Sequence, residues 1–345
     1  MATTKGPEGT TSPPAPPRER PRRAAASSPP LGGRSAAGGS PAARRRRTWV
    51  TIVLFLLPGI VLFGLLVLVP TLLAMYSSFF KWNGFGLFPT NFIGLDNYTR
   101  LLEDEIFLGD LGRGLILILL ALFIQLPLSL AIALLLNQKM RGRAFYRLVF
   151  FMPYVLSEVI TAVLFTMILS PERGLANELL GAIGLEELES TFLSEPSTVM
   201  YSLFIVMTWK YFGFHMILYL AGRQSIPNEL TEAAQIDGAG AWKVFRYVTL
   251  PLLGPTIRIT IFLSVIYTVQ LFDLVYVLTG GGPVHASETL GVTMYEFGFK
   301  RFQVGYASAL SVVMFLLSLV FALGYQRFVM RRDTEGAITN MRAAR

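Results

Sequence analysis

The sequence predicts an all-α integral membrane protein with six transmembrane helices. Hydrophobic residues make up 53% of its 345 residues and charged residues only 15%, whereas a soluble domain usually has about 25% charged residues. The run from Thr48 to Phe80 carries no charge and exceeds the roughly 20 residues that a helix needs to cross a bilayer core. Five further apolar blocks follow, and in lipid each can satisfy its backbone hydrogen bonds only as a helix.

The six spans are predicted at residues 50–76, 113–137, 147–169, 198–221, 257–279 and 305–328. The first is interpreted as an uncleaved helix and not a signal peptide, because the apolar region of a signal peptide is only about 7–15 residues long. The six-helix part therefore covers residues 48–332, with its core at 110–328 and a short cytoplasmic tail at 333–345.

The N-terminal residues 1–47 are predicted to form a disordered, basic, Pro/Ala-rich cytoplasmic tail. Nine of the 20 prolines precede Arg44, and such a segment buries too little apolar surface to offset its ordering entropy. The tail also carries ten Lys/Arg and two Asp/Glu, which is the whole net charge of +8. The rest of the chain is neutral, which argues against nucleic acid as a partner. The arginines at 44–47 are interpreted as a topology anchor, with anionic lipid binding as the alternative.

The distribution of cations predicts the orientation. With the N-terminus inside, thirteen Lys/Arg beyond the tail lie on the cytoplasmic side and six lie outside. Cytoplasmic loops carry the excess of positive charge, so the chain is predicted to have both termini inside. The loop at 222–256 is then cytoplasmic, and the acidic loop at 170–197 is external.

The 222–256 loop is too long for a simple connection, since neighbouring helices in bundles are usually joined by about 2–8 residues. Pro227 suits a helix start, and Glu229 suits the first turn, where the helix dipole favours an anion. Asp237-Gly238 is predicted to end this helix with a left-handed turn. A second short helix with Trp242 and Phe245 one turn apart is expected to end at Leu250-Pro251 and Pro255, before span five. The pair forms either a docking surface for another protein or an interfacial element packed beneath the bundle.

These residues carry a family resemblance. The loop reads, in order, Glu232-Ala233-Ala234, Gly238 and Val248-Thr249-Leu250-Pro251. This pattern resembles the EAA loop of ABC-transporter permeases, in which Ile is usual at the position of Val248. Further segments, Trp209–Phe214, Ser225–Pro227 and Leu278–Pro283, look like the maltose-type subgroup that imports carbohydrates.

The resemblance implies the type I ABC importer permease architecture in a bacterial plasma (inner) membrane. It implies that the loop docks into a groove on an ATPase subunit through Glu232, Ala233, Ala234, Asp237, Gly238, Leu250 and Pro251. Implied partners are a second homologous permease, two ATPase subunits or domains, an extracytoplasmic binding protein and a carbohydrate. The chain has no G-x-x-x-x-G-K-[ST] phosphate loop. ATP and Mg are therefore expected on the partner ATPase, with no cofactor in this chain.

Polar residues inside the predicted spans form the candidate substrate path. A charge at the bilayer centre costs about 2.5–3.5 kcal/mol on insertion scales. The candidates that line a sugar path are Glu158, Lys210, Gln270 and Asp273. The alternative is mutual pairing, for example of Lys210 with Asp273 or Glu158. His215 is interpreted as a packing residue and His285 as an exposed loop residue.

Two other functional classes remain open from the residues alone. One is a secondary transporter or channel for a small polar solute, although no convincing internal repeat is visible. The other is a membrane-embedded enzyme, which needs a cluster of nucleophile, base or metal ligands. The chain has no cysteine and two separated histidines, so no catalytic residue and no metal site is predicted.

Overall fold

A computed structural model describes residues 41–138, 140–172, 174–185 and 190–331. Within these residues the chain is almost wholly helical, and the strand pairing is an isolated antiparallel bridge between Phe80 and Phe92. The predicted tail segments at 1–40 and 333–345 lie outside the described residues.

The α-helices are numbered in chain order. They run over α1 Pro41–Phe63, α2 Val69–Ser77, α3 Asp96–Glu103, α4 Glu105–Leu120, α5 Leu126–Asn137, α6 Arg143–Val155, α7 Glu158–Ile168, α8 Leu175–Ala182, α9 Val199–Gln224, α10 Asn228–Ile236, α11 Ala241–Val244, α12 Leu250–Leu252, α13 Gly254–Val269, α14 Asp273–Leu278, α15 Leu290–Tyr295 and α16 Val304–Tyr325. Five-residue π-helical turns follow some of them, at Gly64–Leu68, Ala121–Gln125, Phe245–Thr249, Glu296–Lys300 and Gln326–Met330.

The first predicted span is confirmed as a helix, but it starts earlier than expected. Arg45–Ser77 forms 33 helical residues that are apolar enough to cross a membrane. The helix begins at Pro41, so the last seven residues assigned to the disordered tail are helical. Proline suits a first helical position, and the alanines and arginines that follow are good helix formers.

Three more single helices are long and apolar enough to cross a membrane. They are Glu105–Asn137, Val199–Gln224 and Val304–Met330. Two bent helix pairs, Arg143–Val155 with Glu158–Ile168 and Ala241–Leu252 with Gly254–Val269, are also long and apolar enough when each pair is taken together. If each pair counts as one span, the described residues contain up to six spans.

The third predicted span is broken and not continuous. Helices α6 and α7 meet at an angle of 98°, and Leu156 and Ser157 between them have extended backbone conformations. Pro153 lies in the last turn of α6, where its ring removes one backbone donor and crowds the preceding turn. The break lies three residues beyond this proline, at Leu156-Ser157, so the apolar block forms two helices.

The fifth predicted span, 257–279, is also interrupted. Helix α13 begins at Gly254 and ends at Val269, and a separate helix, α14, begins at Asp273. Phe272, between the two helices, has φ −134° and ψ −66°, outside the helical region. On the other side, the segment Ala241–Leu252 meets α13 at 65°.

Helix α9 lies at the centre of the packing. It packs against α5, α6 and α13, while α7 packs against α14, and α16 packs against α2 and α3. The largest cluster of buried side chains includes Leu117, Leu203, Met207, Leu274 and Val292. A broken α6/α7 pair and an interrupted α13/α14 segment therefore both lie against one continuous helix.

Reporter fusions are expected to give the orientation predicted from the cations. Fusions after Gln138, Ile226 and Arg332 should report the cytoplasm, and fusions near Glu103, Glu187 and Ser287 should report the exterior, because positive loops stay inside. The measurement is paired alkaline phosphatase and fluorescent-protein activity at each site. An external signal at Ile226 would place the 222–256 loop on the wrong side for an ATPase partner.

Candidate functional site

The first helix of the 222–256 loop forms as the sequence predicts. Helix α10 begins after Pro227, which lies at the N-cap, and has Glu229 in its first turn. At the other end Gly238 has φ +82°. Its N–H donates to the Gln235 carbonyl at 3.0 Å, and the Ala239 N–H donates to the Ala234 carbonyl at 2.9 Å. These two bonds define a Schellman ending, which favours glycine at the left-handed position.

The second helical segment runs from α11 through a π-helical turn into α12. The rings of Trp242 and Phe245 lie 5.4 Å apart, one turn from each other. The segment ends where the sequence predicts, between Leu250-Pro251 and Pro255, because α12 ends at Leu252 and α13 begins at Gly254. Pro251 lies one residue before the end of the segment, and its missing N–H removes one backbone hydrogen bond there. The bend falls at the fully buried Leu253.

One side of this loop is buried and the other is uncovered. Thr231, Val244 and Thr249 point inward and are buried. The outer side is exposed at the motif residues Glu232, Ala233, Asp237, Gly238 and Pro251, whereas Ala234 and Leu250 are half-buried. The loop is therefore folded on an internal core and presents the motif to its surroundings.

Large apolar side chains accompany the motif on the exposed side. Ile236 is 86% exposed, Trp242 71% and Tyr247 74%. In the part of the chain that the structure describes, nothing covers these side chains. An uncovered apolar patch of this kind, rimmed by polar residues, is typical of a protein or membrane contact site.

A cavity of about 220 Å³ lies between α6, α9 and α13. Its lining residues are Gln125, Tyr154, Met207, Tyr211, Phe214, His215, Leu263, Ser264, Ile266, Tyr267, Thr268 and Gln270. The combination of aromatic faces with a few hydroxyl and amide groups is typical of a site for a polar small molecule.

Two lining side chains carry buried nitrogens without a partner. Gln125 is 2% exposed and His215 is 4% exposed, and neither Gln125 Nε2 nor His215 Nδ1 has a hydrogen-bond partner among the described residues. His215 is thus buried, as expected of a packing residue, but it also faces the cavity. Because buried polar atoms are almost always satisfied, a water molecule or a solute hydroxyl in the cavity would supply the missing partner.

Glu158 lies beside the cavity and holds two of its tyrosines. Its Oε1 accepts a hydrogen bond from the Tyr211 hydroxyl at 2.8 Å and another from the Tyr267 hydroxyl. The half-buried carboxylate therefore joins the start of α7 to α9 and α13. Its contact with the cavity is indirect, through the two rings that line it.

Lys210 makes a different contact from the pairing considered above. Its Nζ donates to the backbone carbonyl of Leu156 at 2.5 Å, and the side chain is buried. Within the described residues it forms no ion pair with Glu158 or Asp273. The carbonyl lies at the break between α6 and α7, so the lysine satisfies a backbone acceptor that the break leaves free.

The remaining two predicted path residues, Gln270 and Asp273, lie in different surroundings. Gln270 lines the cavity, whereas Asp273 is exposed at the first position of α14 and is not among the lining residues. Of the four candidates, only Gln270 contacts the cavity directly. Glu158 supports its wall, and Lys210 supports the break in span three.

Sequence reasoning missed the three lining tyrosines, Tyr154, Tyr211 and Tyr267. A signal for one of them was present, because Met207, Tyr211, Phe214 and His215 recur at helical spacing and share one face of α9. A tyrosine in an apolar helix carries no large insertion penalty, whereas a charged residue such as Glu158 or Lys210 does and is therefore easier to recognise in the sequence.

Comparison with known proteins gives the family. The family described as binding-protein-dependent transport system inner membrane component matches residues 125–333, which include the cavity and the 222–256 loop. The chain belongs to this family. The permease is thus a multi-pass inner-membrane component of a transport system that depends on a binding protein.

Individual relatives agree with this assignment. A probable ABC transporter permease protein of Pyrococcus horikoshii is 37% identical over 276 residues, covering 79% of this chain and 94% of the relative. The sulfoquinovosyl glycerol transport system permease protein SmoG of Agrobacterium fabrum is 32% identical over 281 residues, covering 81% and 91%. A bacterial alginate ABC transporter, solved in complex with a periplasmic protein bound to an alginate pentasaccharide, has TM-score 0.73 and 26% identity over 84% of the permease and 97% of that chain.

Proposed function

We propose that the permease is the transmembrane subunit of an ATP-driven ABC importer that moves a sugar or oligosaccharide delivered by an extracytoplasmic binding protein. It pairs with a second homologous permease and with two ATPase subunits or domains. ATP and Mg bind to those ATPase chains, and this chain holds no cofactor. The relatives named for sulfoquinovosyl glycerol and alginate support a carbohydrate cargo.

The exposed side of α10 is the observation that carries the proposal. It presents a carboxylate at Glu232, a small side chain at Ala233 and a left-handed Gly238, next to the apolar Ile236. Small residues allow another backbone to approach, and an apolar side chain gives the contact its burial energy. We infer that an ATPase surface covers Glu232, Ala233, Ala234, Asp237 and Gly238, with Leu250 and Pro251 setting the angle to α13.

The cavity between α6, α9 and α13 supports a substrate path through this chain. Its aromatic walls suit the apolar faces of a sugar ring, and the unpartnered Gln125 and His215 nitrogens suit its hydroxyls. We infer that Gln270 contacts the cargo and that the exposed Asp273 lies at the edge of the path, while Glu158 holds two tyrosines and Lys210 holds the break in span three.

A secondary transporter or channel for a small polar solute is the rival function. The broken α6/α7 segment is compatible with it, because broken helices often line substrate sites in such transporters. The two functions differ in their energy source, which gives a direct test.

The test reconstitutes the permease with its second permease and ATPase in vesicles, with the binding protein outside. Uptake of radiolabelled di- and trisaccharides should require internal ATP and the binding protein, and it should persist when ionophores collapse ion gradients. Uptake that continues without ATP and stops with the ionophore would establish the rival function.

Replacing a cavity residue should weaken transport by a moderate factor. We expect Gln270→Ala to lower ATP-dependent uptake by about three- to tenfold, since one neutral hydrogen bond is worth about 0.5–1.5 kcal/mol. Gln138→Ala, at an exposed position beyond α5, is the matched control and should transport normally. Equal rates for both variants would remove Gln270 from the path.

A further inference from the structure

A second, larger groove lies apart from the cavity, on the side of the chain predicted to be external. It encloses about 690 Å³, within the range of about 300–1,000 Å³ typical of ligand pockets. The loop 81–91, helix α3 and the start of α16 form its walls. The lining side chains that carry its chemistry are Lys81, Trp82, Asn91, Arg100, Phe302 and Gln303.

The walls of this groove are held by specific hydrogen bonds. The Lys81 N–H donates to the Asn91 carbonyl at 2.9 Å, and the Gly305 N–H donates to the Trp82 carbonyl at 2.9 Å. The buried Asn97 Nδ2 donates to the Phe80 carbonyl at 3.0 Å. A Cβ on Gly305 would lie 2.0 Å from the same carbonyl, so the loop and α16 are in close backbone contact. The groove is therefore preorganised, which lowers the entropic cost of binding.

Arg100 is exposed and is held in this wall by a side-chain amide and an aromatic ring, with no ion pair to a described residue. Its Nη1 donates to Gln303 Oε1 at 2.9 Å, and its Cζ lies 4.2 Å from the centre of the Tyr306 ring. The nearby Asp104 is occupied elsewhere, because it accepts from the Tyr306 hydroxyl at 2.6 Å and from the Ile106 N–H at 2.9 Å.

Lys81 is a second cation at the groove, and it is exposed. Neither Lys81 nor Arg100 forms an ion pair with a described residue, and no carboxylate lines the groove. A guanidinium that is oriented by a ring and an amide, with donors left over, is the arrangement that proteins use to bind carboxylates.

We propose that this groove binds a carboxylate-bearing saccharide, with the acid group at Arg100 and Lys81 and a sugar ring against Trp82 and Phe302. The amides of Asn91 and Gln303 supply partners for ring hydroxyls. The proposal rests on the proposed function, because it makes the groove an outer subsite for an acidic saccharide cargo before that cargo enters the membrane path.

The test measures binding of a galacturonate trisaccharide to the full-length permease, assembled with its second permease and the ATPase subunits but without the binding protein, in phosphatidylcholine nanodiscs. Calorimetry should show saturable binding that Arg100→Gln and Lys81→Gln each weaken by about tenfold or more, because hydrogen bonds to charged groups are the stronger kind. Maltotriose, a neutral trisaccharide, should bind at least tenfold more weakly than the acidic probe.

Lys300→Gln is the matched control, because it also removes one positive charge. Lys300 lies outside the groove and donates a hydrogen bond to Glu296 at 2.5 Å, which raises the pKa of the Lys300 ammonium. This variant should bind the acidic trisaccharide with unchanged affinity. Lys81→Gln keeps the test valid if Arg100→Gln fails to fold, since the Lys81 side chain is exposed.

Three results would overturn the groove proposal. They are no saturable binding, equal binding of maltotriose, and an equal loss in Lys300→Gln. A fourth result would overturn it as well. If phosphatidylglycerol in the nanodiscs displaces the trisaccharide at a concentration lower than the trisaccharide needs for binding, the groove is a site for a lipid headgroup. ATP-dependent uptake is measured on the same preparation. If uptake persists while the trisaccharide does not bind in the groove, the groove proposal fails and the proposed function stands.

Discussion

The variants Gly238→Asp and Glu232→Lys are expected to abolish ATP-dependent uptake while the permease still inserts and folds. Gly238 lies at the exposed end of α10, and apart from its chain neighbours no atom of the described residues lies within 4 Å of the Cβ that a substitution would add. Within the permease, the cost is therefore limited to the left-handed backbone at φ +82°, about 1–2 kcal/mol for an ordinary residue. A new charge buried in the ATPase contact costs more.

A second substitution at Gly238 distinguishes the effect of backbone strain from the effect of a steric conflict with the ATPase surface. Asparagine tolerates left-handed backbone better than other residues, so Gly238→Asn adds volume with little strain. We expect it to co-purify with less ATPase than the wild type. Gly142→Asn is its matched control, because Gly142 also has positive φ, at +77°, in a different predicted cytoplasmic loop. Gly142→Asn should recover the ATPase normally.

The charge at Glu232 has its own control within the same helix. Glu232 and Glu229 are both exposed on α10, one turn apart, so Glu229→Lys makes the same charge change outside the motif. We expect Glu232→Lys to lose ATPase recovery and uptake, and Glu229→Lys to keep most of both. The measurement is co-purification of the ATPase together with uptake of labelled sugar. Full uptake by Gly238→Asp would leave α10 as an interfacial packing element.

The 222–256 loop was predictable because its signals are local. Pro227, Glu229 and Gly238 each act on the backbone within one turn, and helix α10 begins and ends where those residues place it. The end of the second helix was predictable for the same reason, because Pro251 cannot donate a backbone hydrogen bond and Pro255 suits the first turn of the next helix. Only the packing of Leu253 fixes the bend, and such packing is not visible in the sequence.

The cavity was less predictable because its residues meet only in the folded chain. Glu158 and Lys210 were chosen as path residues because they are ionisable and lie in apolar blocks. Both stabilise the broken third span instead of lining the cavity. Tyr211 and Tyr267 are 56 residues apart in the sequence and become neighbours, with ring centres 4.3 Å apart. Contacts of this kind depend on how helices cross, which local propensity does not specify.

Gly213→Ala is expected to destabilise the permease strongly, because it blocks the crossing of α6 and α9. A Cβ at Gly213 would lie 2.0 Å from the Phe150 carbonyl oxygen, 2.9 Å from its carbonyl carbon and 3.2 Å from the Phe151 Cα. All three atoms belong to the backbone, so no side-chain rotation can relieve the overlap. The helices must separate, and overpacking of this kind costs typically 1–3 kcal/mol and occasionally more.

The matched control is Gly324→Ala, since Gly324 also lies within a helix, α16, and its Cβ would meet no described atom within 4 Å beyond its own helix backbone. In open space, alanine favours a helix over glycine by about 0.5–1 kcal/mol, so this variant should match or exceed the wild type. The measurement is the thermal unfolding midpoint of each purified variant in one detergent, followed by uptake. Separation of α6 from α9 would also open the cavity at Tyr154 and Tyr211, so Gly213→Ala should lose transport even at temperatures where it stays folded. Equal midpoints for the two variants would contradict the close crossing of α6 and α9.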